Sequence, residues 1–245
     1  MVPEHYAWLT WSTAFLIPWV ILYWRFVEQR RAMRWASVFT APFGLTEPLF
    51  VPEYWNPPSV FDLAERTGFD IESLIFCFAI GGVGAVLYNV LTAHRLEPVD
   101  SHERHSALHR FHRYVIASPF VVFAGLYLLP WNPIYAGIVA MFVGAAATAW
   151  CRPDLLYKSS IGGMLFLGYY FVFLLGLKLT APGYIEKVWN NGALSGWHLI
   201  NMPIEELLFG FGFGMYWSSV YEHFTWTRVA TAVGERTHGA AVPRI

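Results

Sequence analysis

Seven apolar stretches, each long enough to cross a lipid bilayer, take up most of this chain and constrain its fold more than any other feature. A membrane-spanning helix needs roughly 20 predominantly apolar residues. Hydrophobic residues make up 56% of the chain and charged residues only 13%, whereas soluble domains carry about 25% charged residues. The sequence therefore predicts an all-α, multi-pass integral membrane protein of the cell membrane, with seven transmembrane helices. The stretches cover residues 6–24, 35–51, 71–93, 114–131, 134–151, 161–180 and 204–224.

The basic residues are distributed unevenly between the two ends of these stretches. One side of the predicted membrane carries 13 of the 16 Lys and Arg residues, and the other side carries only Arg66, Lys178 and Lys187. Cytoplasmic loops are enriched in Lys and Arg. We therefore predict that the N-terminus lies outside and the C-terminus lies in the cytoplasm. The formal net charge of -1 gives no reason to expect a nucleic-acid partner.

Two halves of the chain repeat a common pattern in the same order. A Trp-Asn pair at 55–56 precedes an Ile-Glu pair at 71–72, and second copies of these pairs lie at 189–190 and 204–205. In the predicted topology both copies cross the membrane in the same direction, as in transporter halves that are related by an axis along the membrane normal. The sequence thus predicts a 3+1+3 arrangement, in which a fourth helix links two parallel three-helix repeats.

The charged segment between the halves sets the predicted boundaries. The predicted units are a first three-helix repeat at 1–93, a cytoplasmic connector with the linker helix at 94–133, a second three-helix repeat at 134–226 and a cytoplasmic tail at 227–245.

Histidines in this connector raise the alternative of a metal enzyme. His102, His105, His109 and His112 are spaced to share one face of a helix. Clustered histidines are typical of membrane di-iron oxygenases, so a lipid oxygenase stays open as an alternative. The neighbouring Glu and Arg residues instead indicate a solvated connector helix, and neither cysteine has metal-ligand spacing. We expect no metal and no cofactor.

Carboxylates at the start of two predicted membrane helices are the candidate catalytic groups. Glu205 and Glu206 open the last apolar stretch, and Glu72 occupies the matching place in the first half. Acidic residues in a first turn often only cap the helix, but charged groups at membrane depth are costly and typically functional. Burial and a second carboxylate nearby both raise the pKa of a carboxyl group, which produces a general acid near neutral pH. Adjacent helical residues lie about 100° apart, so Glu205 and Glu206 cannot face the same point.

Aromatic residues are abundant, with 20 Phe, 13 Tyr and 12 Trp. Many belong at the membrane interfaces or in ordinary packing, but together they can line a pocket for a long apolar substrate and stabilise a cation through their ring faces. The glycines at 210–214 lie inside an apolar stretch, where they permit close helix approach or leave room for a ligand. The candidate substrate-binding residues are Glu47, Glu53, Trp55, Trp189, Phe76, Phe209, Phe213 and Tyr216.

Three segments resemble the small integral-membrane lycopene cyclases, in the order found in their fused form. They are EYWNP at 53–57, FDIESLIFCFAIGG at 69–82 and MPIEELLF at 202–209. The Pro-x-Glu-Glu motif of that family matches residues 203–206. The first half departs from the family pattern, because Ser73 stands where a second acid is usual and Asp70 where a proline is common.

This resemblance implies a redox-neutral cyclisation of a lipid-soluble carotenoid such as lycopene, at a linear ψ end group. It implies Glu205 or Glu206 as the acid that protonates the terminal double bond and Glu72 as the base or proton partner, with Glu47 and Glu53 in the same polar cluster. The implied partners are the carotenoid and membrane lipids, and association with a second copy or with other carotenoid enzymes is left open. A transporter or carrier that uses the outer-side carboxylates is a further alternative.

Overall fold

A computed structural model describes residues 2–92 and 95–230, which fold into a mostly helical bundle. The α-helices are α1 Glu4–Ala14, α2 Leu16–Arg25, α3 Arg30–Thr40, α4 Leu63–Thr67, α5 Ile71–Thr92, α6 Ser101–Arg104, α7 His112–Tyr127, α8 Pro133–Cys151, α9 Leu156–Thr180, α10 Tyr184–Val188 and α11 Ile204–Thr225. The 3₁₀ helices are Val27–Gln29, Ala41–Leu49, Val60–Asp62, Ala107–His109, Pro153–Leu155 and Asn191–Ala193. The strands are β1 Leu96–Pro98, β2 His198–Leu199, β3 Met202–Pro203 and β4 Thr227–Val229; β1 pairs with β4 and β2 with β3, both antiparallel.

Four helical segments of the described chain are long and apolar enough to cross a membrane. They are Glu4–Arg25, Ile71–Thr92, Pro133–Cys151 and Pro153–Thr180, and they coincide with four of the predicted spans. Helix α2 buries none of its residues although nearly all are apolar, and Ile17, Ile21 and Trp24 are exposed. A broad exposed apolar surface of this kind is typical of helices that face lipid. The lengths and surfaces of these helices suggest a membrane protein.

The remaining three predicted spans differ from simple transmembrane helices, so the count of seven stays a prediction. Residues 35–51 form the end of α3 and the 3₁₀ helix Ala41–Leu49, where prolines at 42 and 48 interrupt regular α-helical hydrogen bonding. Helix α7 has only 16 residues, and α11 is long enough but carries three buried carboxylates, Glu205, Glu206 and Glu222. The repeat and the membrane orientation likewise stay predictions.

Helices α5, α9 and α11 form the centre of the bundle, and glycines bring α9 and α11 together. Helix α11 packs against α9, α8 and α5. A Cβ atom on Gly214 would lie 2.5 Å from the Cβ of Phe166 and 2.8 Å from the carbonyl oxygen of Gly162. This part of the GFGFG segment therefore serves close helix approach, whereas Gly210 faces the ring of Tyr170.

The two ends of the bundle have different structures. At one end, called the loop end here, lie the segments 50–70 and 181–203. At the other, the connector end, β1 pairs with β4 and joins the connector to the chain after α11. The predicted boundary at residues 93–94 and the tail beyond residue 230 lie outside the described residues.

The prediction that the connector is a solvated helix is wrong. Helix α6 ends at Arg104, a 3₁₀ helix follows, and α7 begins at His112. His102 and His105 are exposed, but His109 and His112 are buried. The turn between the short helices breaks the single helical face that the histidine spacing indicated, and it directs two of the four histidines into the bundle.

We predict that Gly214→Ala lowers the stability of the folded protein by about 1–3 kcal/mol, because the added methyl group overlaps the backbone of α9. Thermal unfolding of the protein in detergent micelles measures this effect. Gly168→Ala is the matched control, since a Cβ at Gly168 on α9 meets no atom within 4 Å and the residue is exposed. Equal unfolding temperatures for the two variants would contradict the close approach of α9 and α11.

Candidate functional site

A cavity of about 410 Å³ lies between α1, the 3₁₀ helix Ala41–Leu49, α5, α7, α8, α9 and α11. Its wall is dominated by apolar and aromatic side chains, and Glu47 and Glu206 are the carboxylic acids among the residues that line it. Cavities of roughly 300–1,000 Å³ with a few placed polar groups are typical of small-molecule sites. The aromatic residues of the wall are Trp8, Trp11, Phe15, Phe43, Phe50, Tyr54, Trp55, Phe76, Phe120, Phe123, Tyr170, Phe173, Trp189, Phe209, Phe213, Tyr216 and Trp217.

Three hydrogen-bond donors converge on Glu206. The Tyr170 hydroxyl donates to Oε2 at 2.5 Å, and the indole N–H of Trp189 donates to Oε1 at 2.7 Å. The Tyr54 hydroxyl also donates to Oε1. The residue is 4% exposed, so these donors replace the water that an exposed carboxylate would bind. These donors favour the ionised form of the carboxylate, whereas its burial opposes that form.

Tyr54 is held as a hydrogen-bond donor by its surroundings. Burial raises the pKa of its hydroxyl well above the ordinary value, and the negative charge of Glu206 raises it further. The phenol therefore stays protonated at any physiological pH, and its O–H group can donate a hydrogen bond to the carboxylate. The indole of Trp189 donates in the same way, because it has no acceptor atom.

Glu47 has the opposite environment, although it lines the same cavity. It is 5% exposed, and neither carboxylate oxygen receives a hydrogen bond from a conventional donor. Its carboxyl group faces the side chains of Asp70 and Ser73. One oxygen of Asp70 accepts the backbone N–H of Ser73 at 2.5 Å, and the other has no donor. Two buried carboxyl groups close to each other disfavour the state in which both are ionised.

Glu205 and Glu72 take part in the structure of the loops and do not line the cavity. Glu205 accepts the backbone N–H of Ser195 at 2.8 Å and the hydroxyl of Tyr135 at 2.8 Å. Glu72 accepts the backbone N–H of Val60 at 2.8 Å. Both glutamates therefore connect the first turn of a long helix to the loop that precedes it. Their predicted catalytic roles stay predictions.

Among the other predicted site residues, Glu53 does not line the cavity, whereas the aromatic residues do. Glu53 is exposed, and its backbone carbonyl accepts hydrogen bonds from Asn132 and Asn190. The predicted residues that the fold brings together around the cavity are Glu47, Trp55, Phe76, Trp189, Glu206, Phe209, Phe213 and Tyr216.

The two Trp-Asn segments meet at the loop end. Trp55 and Trp189 form an antiparallel bridge, and their rings lie 5.5 Å apart. The N–H of Asn56 donates to the carbonyl of Val188, and the N–H of Asn190 donates to that of Tyr54, each at 2.9 Å. This pairing holds Tyr54 and Trp189 side by side above Glu206.

Tyr54, Tyr170 and Asp70 contact the two acids but were not among the predicted site residues. Tyr54 and Asp70 lie inside segments that carry the family resemblance, so their position was a usable signal. Tyr170 is one of many tyrosines in apolar stretches, and its sequence context does not separate it from the adjacent Tyr169. Only the packing of α9 against α11 selects Tyr170.

The fold and the cavity thus describe a helical protein with an apolar chamber whose wall carries two buried carboxyl groups in different environments. Residues 132–224 match the family model described as lycopene cyclase. This match agrees with the resemblance over the second predicted half of the chain. The matched segment contains Glu206, Tyr170 and Trp189. No curated protein and no solved structure gives a significant match.

We predict that Tyr170→Phe destabilises the protein by about 1–3 kcal/mol, because it leaves a buried oxygen of Glu206 without its donor. Thermal unfolding in detergent micelles measures the loss. Tyr169→Phe is the matched control, since the buried hydroxyl of Tyr169 has no hydrogen-bond partner and its removal leaves nothing unpaired. If Tyr169→Phe proves as destabilising as Tyr170→Phe, the hydrogen bond to Glu206 does not contribute in this way.

Proposed function

We propose that this protein is a carotenoid cyclase that converts the linear ψ end group of lycopene, or of a related carotenoid, to a ring inside the membrane. The observation that carries the proposal is the pair of buried acids on an otherwise apolar and aromatic wall, one with three hydrogen-bond donors and one beside a second carboxyl group. The match of residues 132–224 to the lycopene cyclases supports it. Neither a transporter nor a di-iron oxygenase has comparable support.

Glu47 is the proton donor in this proposal. Burying an isolated carboxylate costs far more than protonating it, so a carboxyl group without donors is held in its neutral form. The contact with Asp70 favours the same state, because the pair needs a shared proton. The proton adds to the terminal double bond of the polyene, and the positive charge develops on the neighbouring tertiary carbon.

The aromatic wall then stabilises the cation. Ring faces attract a positive charge by about 0.5–2 kcal/mol each, and most strongly where water is excluded. A neighbouring double bond of the polyene attacks the cation and closes a six-membered ring, which moves the charge to a ring carbon. The cavity suits the ring-forming end group, and the rest of the chain extends between helices toward lipid.

Glu206 is the proton acceptor. Its three donors offset part of the cost of burying the carboxylate, and in the proposed mechanism it has the ionised state that attracts the cation. Loss of a proton from the ring carbon that bears the polyene regenerates a double bond and gives a β-type ring. One proton is added and one is removed, so the reaction is an isomerisation without net redox change.

The first test is expression of the protein in cells that accumulate lycopene. We expect chromatography of the extracted pigments to show that linear lycopene is replaced by cyclic products of the same mass, because cyclisation adds and removes one proton. Lycopene that stays linear in cells containing folded, membrane-inserted protein would overturn the cyclase assignment.

The second test separates the two acids. Glu47→Gln removes the donor, so we expect lycopene consumption to fall by about 10²–10⁴-fold. Glu206→Gln leaves the donor in place, so a cation still forms but loses its proton elsewhere; we expect slower turnover and a changed mixture of ring isomers. Pigment analysis with quantification of the folded protein measures both effects.

Two kinds of control complete this test. Glu186→Gln changes an exposed glutamate at the same end of the bundle and should leave activity unchanged. Glu205→Gln and Glu72→Gln keep an oxygen that accepts the loop N–H groups, so we expect most activity to remain. If Glu205→Gln is folded but inactive and Glu47→Gln is active, the proton donor is Glu205 of the Pro-x-Glu-Glu motif and not Glu47.

A further inference from the structure

A second cluster of chemically reactive side chains lies at the connector end, apart from the acid-lined cavity. His109 comes from the 3₁₀ helix of the connector and His112 from the first turn of α7. Cys151 is the last residue of α8, and His223 lies in the last turn of α11. All four are at most 9% exposed. One thiol and three imidazoles from separate elements thus meet in the interior.

The spacing of these side chains fits a metal ion better than a set of hydrogen bonds. The Sγ atom of Cys151 lies 3.6 Å from Nδ1 of His109 and 3.6 Å from Nδ1 of His112. Ligand atoms of His112, Cys151 and His223 all lie within 4.8 Å of one another. Zinc bonds of about 2.3 Å to sulfur and about 2.0–2.1 Å to nitrogen at tetrahedral angles separate the sulfur and nitrogen ligands by about 3.6 Å. Thiols, by comparison, form only weak hydrogen bonds.

The contacts of His223 provide a second observation. Its Nδ1 atom lies 3.2 Å from Oγ1 of Thr148, and its Nε2 atom is buried without a hydrogen-bond partner. A histidine that binds a metal through one ring nitrogen usually has its other nitrogen hydrogen-bonded to the protein. Leaving Nε2 unpaired costs free energy, and a bound cation would remove that cost.

The surroundings of the cluster are compatible with a bound cation. The ring of Trp226 stacks on His112 at 4.0 Å and contacts the edge of His109. The nearby guanidinium of Arg152 is paired with both oxygens of Asp154, at 2.8 and 2.6 Å, so its charge is compensated. A thiolate at Cys151 would balance one charge of a divalent ion.

We propose that His112, Cys151 and His223, with His109 as the fourth ligand, form a closed metal site that takes Zn²⁺ or a similar thiophilic divalent ion. A site with four protein ligands has no open position for substrate, so its role is structural. It ties the connector and α7 to the ends of α8 and α11. The sequence by itself predicts no metal, because the Glu and Arg residues beside the histidines indicate a solvated helix and neither cysteine has metal-ligand spacing.

The experiment uses the full chain purified in detergent with an affinity tag that contains no histidine. We expect elemental mass spectrometry to find about one Zn²⁺ per chain. After removal of the metal with a chelator, titration with Co²⁺ should produce the visible bands of tetrahedral Co²⁺ and a thiolate-to-metal charge-transfer band. Cys151→Ser should abolish the charge-transfer band, and His223→Ala should weaken Co²⁺ binding by about tenfold or more.

Cys77→Ser and His105→Ala are the matched controls, because Cys77 lies on α5 and His105 is exposed. Both should keep the full Co²⁺ spectrum. Wild-type protein also tests the proposal without any substitution, since the chelator should lower its unfolding temperature and Zn²⁺ alone should restore it. Folded wild-type protein that contains no metal and gives no Co²⁺ spectrum would overturn the proposal, as would an unchanged spectrum in both Cys151→Ser and His223→Ala. None of these measurements depends on cyclase activity.

Discussion

The structure around the cavity depends on the three hydrogen bonds that the buried Glu206 carboxylate accepts. A carboxylate without donors in an apolar bundle would be strongly destabilising, so its donors must be held in place. They come from the loop after α3, from α9 and from the segment after α10. The pairing of the Trp-Asn segments positions two of them, and the close approach of α9 to α11 positions the third. The loop pairing and the helix packing thus both position hydrogen-bond donors for the Glu206 carboxyl group.

The two acids of the cavity differ because their neighbours differ. Glu206 accepts hydrogen bonds from Tyr54, Tyr170 and Trp189, whereas Glu47 lies beside Asp70 and Ser73. In the proposed mechanism, these environments suit the two carboxyl groups to opposite roles in proton transfer. Asp70 contributes to this difference and also caps α5 through the N–H of Ser73. The position where the family pattern has a second acid is a serine here, and Glu47 and Asp70 lie beside it.

The two ends of the bundle carry different groups of buried polar side chains. The loop end carries the acids and the paired segments, and the connector end carries the strand pair β1–β4, the His–Cys cluster and a buried ion pair between Lys158 and Glu222. Each feature of the connector end joins elements that are distant in the sequence. Such cross-connections fix the relative positions of α8, α9 and α11, and these helices carry several side chains of the cavity wall into place.

The sequence alone indicated the helical membrane class, the family resemblance and six of the seventeen aromatic residues of the cavity wall, because these depend on composition, on apolar stretches of bilayer length and on short motifs. It also placed Glu206 and Glu47 among the candidates. It did not distinguish Glu206 from Glu205, select Tyr170 over Tyr169, or join His112 to Cys151 and His223. Those choices depend on which face of each helix meets a neighbour and on where a loop returns. Only the tertiary structure decides them, because the contacts join residues that lie far apart along the chain.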